Sequence, residues 1–208
     1  MPLLLDDGHL YVLEDRNQLM YQREPFEIPG AVLIRSREKF RIPHRISDFI
    51  NLLRLTPEPI VVTSAVSGAL PLLEEFVNAA DQERLIEAFV TKCLVQGYTL
   101  DDIAVLSFHS TQSQERAQTH FGQFSKRRFL GTYDSNGNPQ WSEGDLLFES
   151  IYRFKGQSAP VVILADLDFS DLDERTCRKL FVGLTRAEDT VRLMLTAAAS
   201  HVLESRLT

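Results

Sequence analysis

The stretch Glu149-Ser-Ile-Tyr-Arg-Phe-Lys-Gly156-Gln-Ser-Ala-Pro-Val-Val-Ile-Leu-Ala165 decides the architecture. From Val161 to Ala165 it is aliphatic at every position rather than at alternate ones, the pattern of a strand covered on both faces. Ile103-Ala-Val-Leu-Ser-Phe108 and Val191-Arg-Leu-Met-Leu195 read the same way, as do Ile60-Val-Val-Thr63 and Leu10-Tyr-Val-Leu13. Strands of this kind are central in a mostly parallel sheet and need helices on both sides, so the fold class is α/β with three layers.

The segments between supply those helices. Ile42, Ile46, Phe49, Ile50 and Leu53 recur at helical spacing, with Pro43 suited to a first-turn position. Leu85, Ile86, Phe89, Val90 and Cys93 form a second stripe, closed by Gly97 as a left-handed cap. Cys177, Leu180, Phe181 and Leu184 form a third, preceded by Ser170-Asp-Leu-Asp173, whose oxygens suit an N-cap. Arg178, Lys179 and Arg186 fall off that stripe. Around Asp134-Ser-Asn-Gly-Asn-Pro139 a β-hairpin or long loop is expected, flanked by Arg128 to Tyr133 and Leu146 to Tyr152.

With 208 residues, 44% of them hydrophobic, the chain is long enough for one packed core. The excess of acidic residues, net charge -7, gives no overall field to gather phosphates. Cys93 and Cys177 lack disulfide-framework or zinc spacing, so no metal site is expected and a reducing cytoplasm fits. No apolar run approaches the roughly 20 residues that span a bilayer, and the first residues lack a signal peptide's pattern. A cytoplasmic protein without a membrane partner is the expectation.

Four segments carry chemistry when taken in order. They are Tyr11-Val-Leu-Glu-Asp15-Arg-Asn-Gln18-Leu-Met-Tyr21, Glu38-Lys-Phe-Arg41-Ile-Pro-His-Arg-Ile, the quoted stretch through Lys155-Gly156, and Lys179-Leu-Phe-Val-Gly-Leu-Thr-Arg-Ala187. Over about residues 8 to 200 they resemble motifs of superfamily 1 DNA helicases of the UvrD/Rep type. The resemblance implies a second, RecA-like motor domain over residues 36 to 208, preceded over 1 to 35 by the tail of the first motor domain and a linker. The span between the second and third segments implies a compact member without the family's large inserted domain.

By that resemblance, Gln18, Arg41 and Arg186 act on the γ-phosphate of ATP, Arg186 as an arginine finger. Asp15, Gly156 and Ser158 contact nucleotide, while Tyr21, Tyr152, Arg153 and Lys155 contact single-stranded DNA, which the chain alone is expected to bind weakly or not at all. Cofactors would be ATP and Mg²⁺. The chemistry suits these residue types, because guanidinium groups stabilise charge gathered on the transferred phosphoryl oxygens. Such a group gives about 10³- to 10⁵-fold in rate, roughly 4 to 7 kcal/mol.

The sequence contains no Gly-x-x-x-x-Gly-Lys-[Ser/Thr] and no aliphatic run ending in Asp-Glu. ATP hydrolysis is therefore expected only with a P-loop lobe supplied in cis or trans, and the chain reads as a piece of a larger helicase, a truncated product or a stand-alone descendant. Gln22-Arg-Glu24 replaces an aromatic-arginine pair of the family, and Gln157-Ser158 replaces Leu-Glu, which removes a carboxylate that would bond the ribose. Tyr152 takes the place of a common histidine. These departures leave a second reading, a non-enzymatic RecA-like interaction or regulatory module.

Three other features carry less. The acidic run Asp166 to Glu174 lacks the spacing of a calcium loop and reads as capping and solvation. His109 and Ser110 have no nucleophile elbow. Lys126-Arg-Arg128 reads as a solvated edge.

Overall fold

Val161 to Ala165 lies in the middle of a sheet, as its unbroken apolar run predicts. The computed structural model describes residues 41–109 and 120–207, with Gly30, Val32, Glu38 and Lys39. The expected strand Leu10 to Leu13, and Asp15, Gln18 and Tyr21, lie outside the described residues.

In chain order the elements are β1 (Glu38–Lys39), α1 (His44–Leu52), β2 (Val61–Val62), β3 (Leu72–Glu75), α2 (Ala79–Val95), a 3-10 turn (Leu100–Asp102) and β4 (Ile103–Ser107). There follow β5 (His120–Phe121), β6 (Phe124–Arg127), β7 (Phe129–Tyr133), β8 (Pro139–Trp141), β9 (Leu146–Ser150), β10 (Ala159–Leu167), α3 (Glu174–Leu184), β11 (Ala187–Leu195) and α4 (Ala197–Leu207). The main sheet has the order β3-β11-β10-β4-β9-β6-β5. Its pairs are parallel from β3 to β6, and β5 is antiparallel at the edge.

Alternate residues of the central strands feed two cores. Val162 and Leu164 of β10, with Ala104 and Leu106 of β4, join Ile46 and Ile50 of α1, Leu180 and Phe181 of α3 and Leu203 of α4. Val161 and Ile163, with Ile103 and Val105, join Ile86, Phe89 and Val90 of α2. The architecture is thus a three-layer, RecA-like α/β sandwich. Each fully buried aliphatic side chain contributes about 1.5 to 3 kcal/mol, so a strand buried on both faces anchors both layers.

The expected helix ends largely form. Gly97 follows the α2 cap with φ +99°, the left-handed geometry that glycine takes without strain. Asp173 caps α3 by accepting the Thr176 N–H at 2.7 Å. Pro43 is the N-cap of α1, one position before the first turn in which it was expected.

Other expectations change. Ile60 to Thr63 is no central strand: among the described residues β2 pairs only with β1, in a separate two-stranded sheet, and Val61 is 53% exposed. Asn51 explains the placement, since its side chain bonds the Ile60 carbonyl at 3.0 Å and the Ile60 N–H at 2.9 Å, tying the segment to α1. Leu146 to Ser150 is not a hairpin arm but β9, parallel to β4, because Leu146 and Phe148 fill the α2-side core. The hairpin forms instead between β7 and β8. Besides the short strands β1, β5 and β6, two elements escaped notice: β3, an edge strand with exposed Leu72 and two glutamates, and α4, which buries little beyond Ala199, Ser200 and Leu203. Neither has an apolar run or stripe to announce it.

Two charged groups expected in solvent are buried. Lys126 projects under the sheet edge, its ammonium 3.9 Å from the Phe121 ring centroid and 3.6 Å from a Glu83 carboxylate oxygen. Asp166 interrupts β10 at a register shift between Leu164 and Leu167, with φ +58°. Its carboxylate accepts from Gln82 Nε2 at 2.9 Å and Ser107 Oγ at 2.6 Å, while its N–H donates to Gln82 Oε1 at 2.9 Å. Rather than solvating a loop, it staples α2 to the carboxyl ends of β4 and β10.

Replacing Gln82 by Leu strips partners from the Asp166 carboxylate and N–H in a buried setting, which costs about 1 to 3 kcal/mol. Urea unfolding of Gln82→Leu should show that loss; a midpoint equal to wild type would show that the staple contributes nothing.

Candidate functional site

The nucleotide-contact candidates gather before strands, not after them. Although ligands in open α/β sheets usually sit beyond the carboxyl ends of strands, Gly156 to Ser158 precede β10 and Arg186 precedes β11. Parallel pairing of β10 with β11, in the register Ala159↔Ala187, brings these two entrances side by side. The Ala159 N–H donates to the Arg186 carbonyl at 3.0 Å.

Arg186 is buried, 8% exposed, and its guanidinium is fixed in place. Nε donates to the Val182 carbonyl at 3.1 Å, Nη1 to the Gln157 carbonyl at 3.2 Å and Nη2 to Thr185 Oγ1 at 3.2 Å. These oxygens are neutral, and they hold the cation between the end of α3 and the Gly156 turn. Gly156 makes that turn possible with φ +88°.

Ser158 donates to the Glu188 carboxylate. A carboxylate absent from the Gly156 turn in sequence is therefore adjacent to it in space. Glu188 had no motif to mark it; only the β10–β11 register makes it a neighbour of Ser158.

Arg41 reaches the same edge by another route. It is exposed, two residues before the Pro43 cap. His44 and Arg45 donate to the carbonyls of Val66 and Ser67 at 3.1 and 3.0 Å, and Ala69 donates to the Asp189 carbonyl at 2.9 Å. Gly68 lies in this crossing: a Cβ there would stand 2.5 Å from Pro43 Cβ and 3.1 Å from Asp189 O, so only glycine fits. The Arg41 segment is thereby docked beside the entrance to β11.

The strand-contact candidates lie at the opposite edge. β9 ends at Ser150, and the chain must return across the sheet to begin β10, passing over β4. Residues 151–158 make this crossover with no helix, pinned by buried Ile151 and Phe154. Tyr152 and Arg153 consequently stand at the carboxyl edge, while Gly156 to Ser158 reach the amino edge. Lys155, between them, is exposed. Arg153 Nη1 donates to the Phe129 carbonyl at 3.3 Å and lies 3.9 Å from Glu149. Burial pushes the Glu149 carboxyl up, against the pull of Arg153.

Lys179 was not singled out as a site residue, yet it joins this edge. From α3 its ammonium bonds the Phe108 carbonyl and stands 4.2 Å from the Phe108 ring centroid and 5.0 Å from that of Tyr152. Desolvation, then the nearby Arg175 charge, lowers its pKa to about 8. Its signal in the sequence was a basic residue beside, but off, an apolar helical stripe, which alone suggests only solvent.

Because the folded pKa of Lys179 lies below the ordinary 10.5, the native state binds fewer protons than the unfolded chain between those values, and stability rises with pH there. The stability of wild type relative to Lys179→Met should therefore increase between about pH 8 and 10.5, measured by urea unfolding at several pH values. A pH-independent difference would refute the desolvated lysine.

Residues 145–194, which include the crossover, β10, α3 and most of β11, match the family model of the UvrD-like helicase C-terminal domain. No curated protein matches the chain. Among solved structures, the C-terminal domain of a possible DNA helicase from Lactobacillus plantarum WCFS1 superposes with a TM-score of 0.52 at 13% identity, over 80% of this chain and 96% of that one. At such identity the likeness is one of fold. No helix among the described residues is long and apolar enough to cross a membrane. The chain is thus similar over residues 145–194 to the C-terminal domains of UvrD-like helicases, and its fold is similar to the C-terminal domain of a possible DNA helicase.

Proposed function

We propose that the chain acts as the second motor domain of an ATP-dependent DNA helicase, completing an ATP site at the amino edge of its sheet and carrying part of a single-strand track at the carboxyl edge. The observation that carries the reading is the bond from Arg186 Nη1 to the Gln157 carbonyl, with Ala159 N–H returning to the Arg186 carbonyl. Two segments far apart in sequence present a fixed cation and a glycine turn to one place.

A nucleoside triphosphate fits this donor set. Guanidinium groups suit phosphate oxygens, and the Gly156 turn has open space where a side chain would stand. Arg186 would stabilise charge on the γ-phosphate, Arg41 would reach the same group from its exposed segment, and Gly156 and Ser158 would line the nucleotide. ATP supplies the driving phosphoryl transfer when bound. Mg²⁺ would be held by the P-loop lobe, as the helicase resemblance implies. At the carboxyl edge, Tyr152 offers a ring, and Arg153 and Lys155 offer cations, to single-stranded DNA. Gln18, Asp15 and Tyr21 would complete these sites as the helicase resemblance implies.

The crossover gives the two edges a mechanical link. A shift of the Gly156 turn is transmitted through buried Phe154 and Ile151 to Tyr152 and Arg153 within five residues. Closure around nucleotide would therefore act directly on the strand contacts.

With a P-loop lobe supplied in cis or trans, Arg41→Ala should lower kcat by about 10³- to 10⁵-fold while leaving the melting temperature unchanged, since Arg41 is exposed. Wild-type turnover would refute its catalytic role. Strong ATP hydrolysis by the 208-residue chain alone would overturn the split-site reading, and a folded, inactive complex with any P-loop lobe would favour an interaction module instead.

Arg153→Ala combined with Lys155→Ala should weaken oligothymidylate binding and flatten its salt dependence by about one unit per lost phosphate contact. An unchanged salt slope would remove these residues from the track.

A further inference from the structure

The hairpin β7–β8 belongs to neither core nor motif. It forms a two-stranded sheet of its own, outside the seven-stranded one. Such a hairpin is marginal in water unless other contacts order it, and here three sets of contacts do. At the base, Ser142 N–H donates to the Arg128 carbonyl at 2.8 Å and Arg128 N–H to Ser142 Oγ at 3.0 Å. At the tip, the Asp134 carboxylate accepts the N–H groups of Asn136 and Asn138, each at 2.8 Å, and Asn138 Nδ2 at 3.0 Å. On one face, the Phe129 ring centroid lies 5.4 Å from that of Tyr133 and 5.7 Å from that of Trp141.

Its direction follows from strand pairing. β6 runs parallel to β9 and ends with Lys126↔Leu146 and Arg127↔Leu147. A chain continuing from Arg127 therefore heads towards the carboxyl end of β9. The bond from Arg153 Nη1 to the Phe129 carbonyl marks its arrival there. The hairpin accordingly rises from the edge at which Tyr152 and Arg153 stand.

The aromatic face is ordered but not covered. Tyr133 remains 64% exposed, beside half-buried Phe129 and Trp141. Burial does not account for so much ring surface in water. A ring cluster ordered by its own contacts, with Tyr133 open to solvent and Arg128 and Arg153 at its base, has the elements of a stacking platform for bases whose phosphates pass nearby. Every base has a π-face, so such a platform needs no particular sequence.

We infer that the β7–β8 hairpin extends the single-strand track beyond the sheet, with the Phe129, Tyr133 and Trp141 face stacking on DNA bases. This rests on the single-strand reading of the carboxyl edge, and continuity through Arg153 selects a nucleic-acid strand over other occupants.

Trp141 is the chain's one tryptophan, which makes the test direct. The full chain is titrated into fluorescein-labelled oligothymidylate of about 15 nucleotides, a length covering several stacking sites, while anisotropy and Trp141 emission are followed together. Binding should quench Trp141. Tyr133→Ala should raise Kd by about 5- to 150-fold, the equivalent of losing one stacked base at about 1 to 3 kcal/mol. Thr132→Ala, on the opposite face, should bind as wild type. Binding with unchanged Trp141 emission and wild-type affinity in Tyr133→Ala would overturn the hairpin's role while leaving the track at Tyr152 and Arg153 intact. No anisotropy rise would overturn both readings together. If Tyr133→Ala fails to fold, the Trp141 signal of the wild type decides alone. A concentration-dependent dimer that Tyr133→Ala dissolves would assign the face to a second copy of the chain and overturn the inference.

Discussion

Parallel pairing of β10 between β4 and β11 is the constraint from which the rest follows. The strand is buried along nearly its whole length, so both helical layers grip it, and its register fixes what lies at each end. At its start, the pairing places Gly156 to Ser158 beside Arg186 and Glu188. At its end, the left-handed turn at Asp166 breaks the ladder and anchors α2 through Gln82. Moving β10 by one residue would exchange its two apolar faces and separate Arg186 from the Gln157 carbonyl.

The second consequence is that one short crossover spans the sheet. Most returns between parallel strands use a helix, which insulates one edge from the other. Here residues 151–158 make the passage with two buried side chains, Ile151 and Phe154, as pins. Tyr152 and Gly156 are four residues apart in sequence yet belong to opposite edges. Under the proposed function, this short crossover would couple a nucleotide edge to a strand edge without a long relay.

Charge placement follows the same economy. In a chain with net charge -7, Arg186, Lys179 and Lys126 are drawn out of solvent near strand entrances and exits. Arg186 is held by backbone oxygens, Lys179 by a carbonyl and two aromatic rings, and Lys126 by Phe121 and Phe148. Burial fixes such groups in position at the cost of desolvation, which in Lys179 shows as a lowered pKa.

Much was legible from residues alone. The doubly covered strands at Ile103, Val161 and Val191, the three amphipathic stripes, the Gly97 and Asp173 caps and the ordered motifs all depend on local periodicity and local geometry, which the sequence carries directly. Ile60 to Thr63 was misread because its apolarity answers to the α1-side core, where Ile60 is buried and Val62 packs, and not to the main sheet. Leu146 to Ser150 was given to a hairpin because a turn signal says that the chain reverses, not which strand it meets next. The partnership of Ser158 with Glu188, the burial of Asp166 and Lys126, and the separation of Tyr152 from Gly156 across the sheet were settled only by the tertiary structure. Each depends on register between strands distant in sequence, and register is chosen by side-chain packing on both faces at once, a property that no segment holds alone.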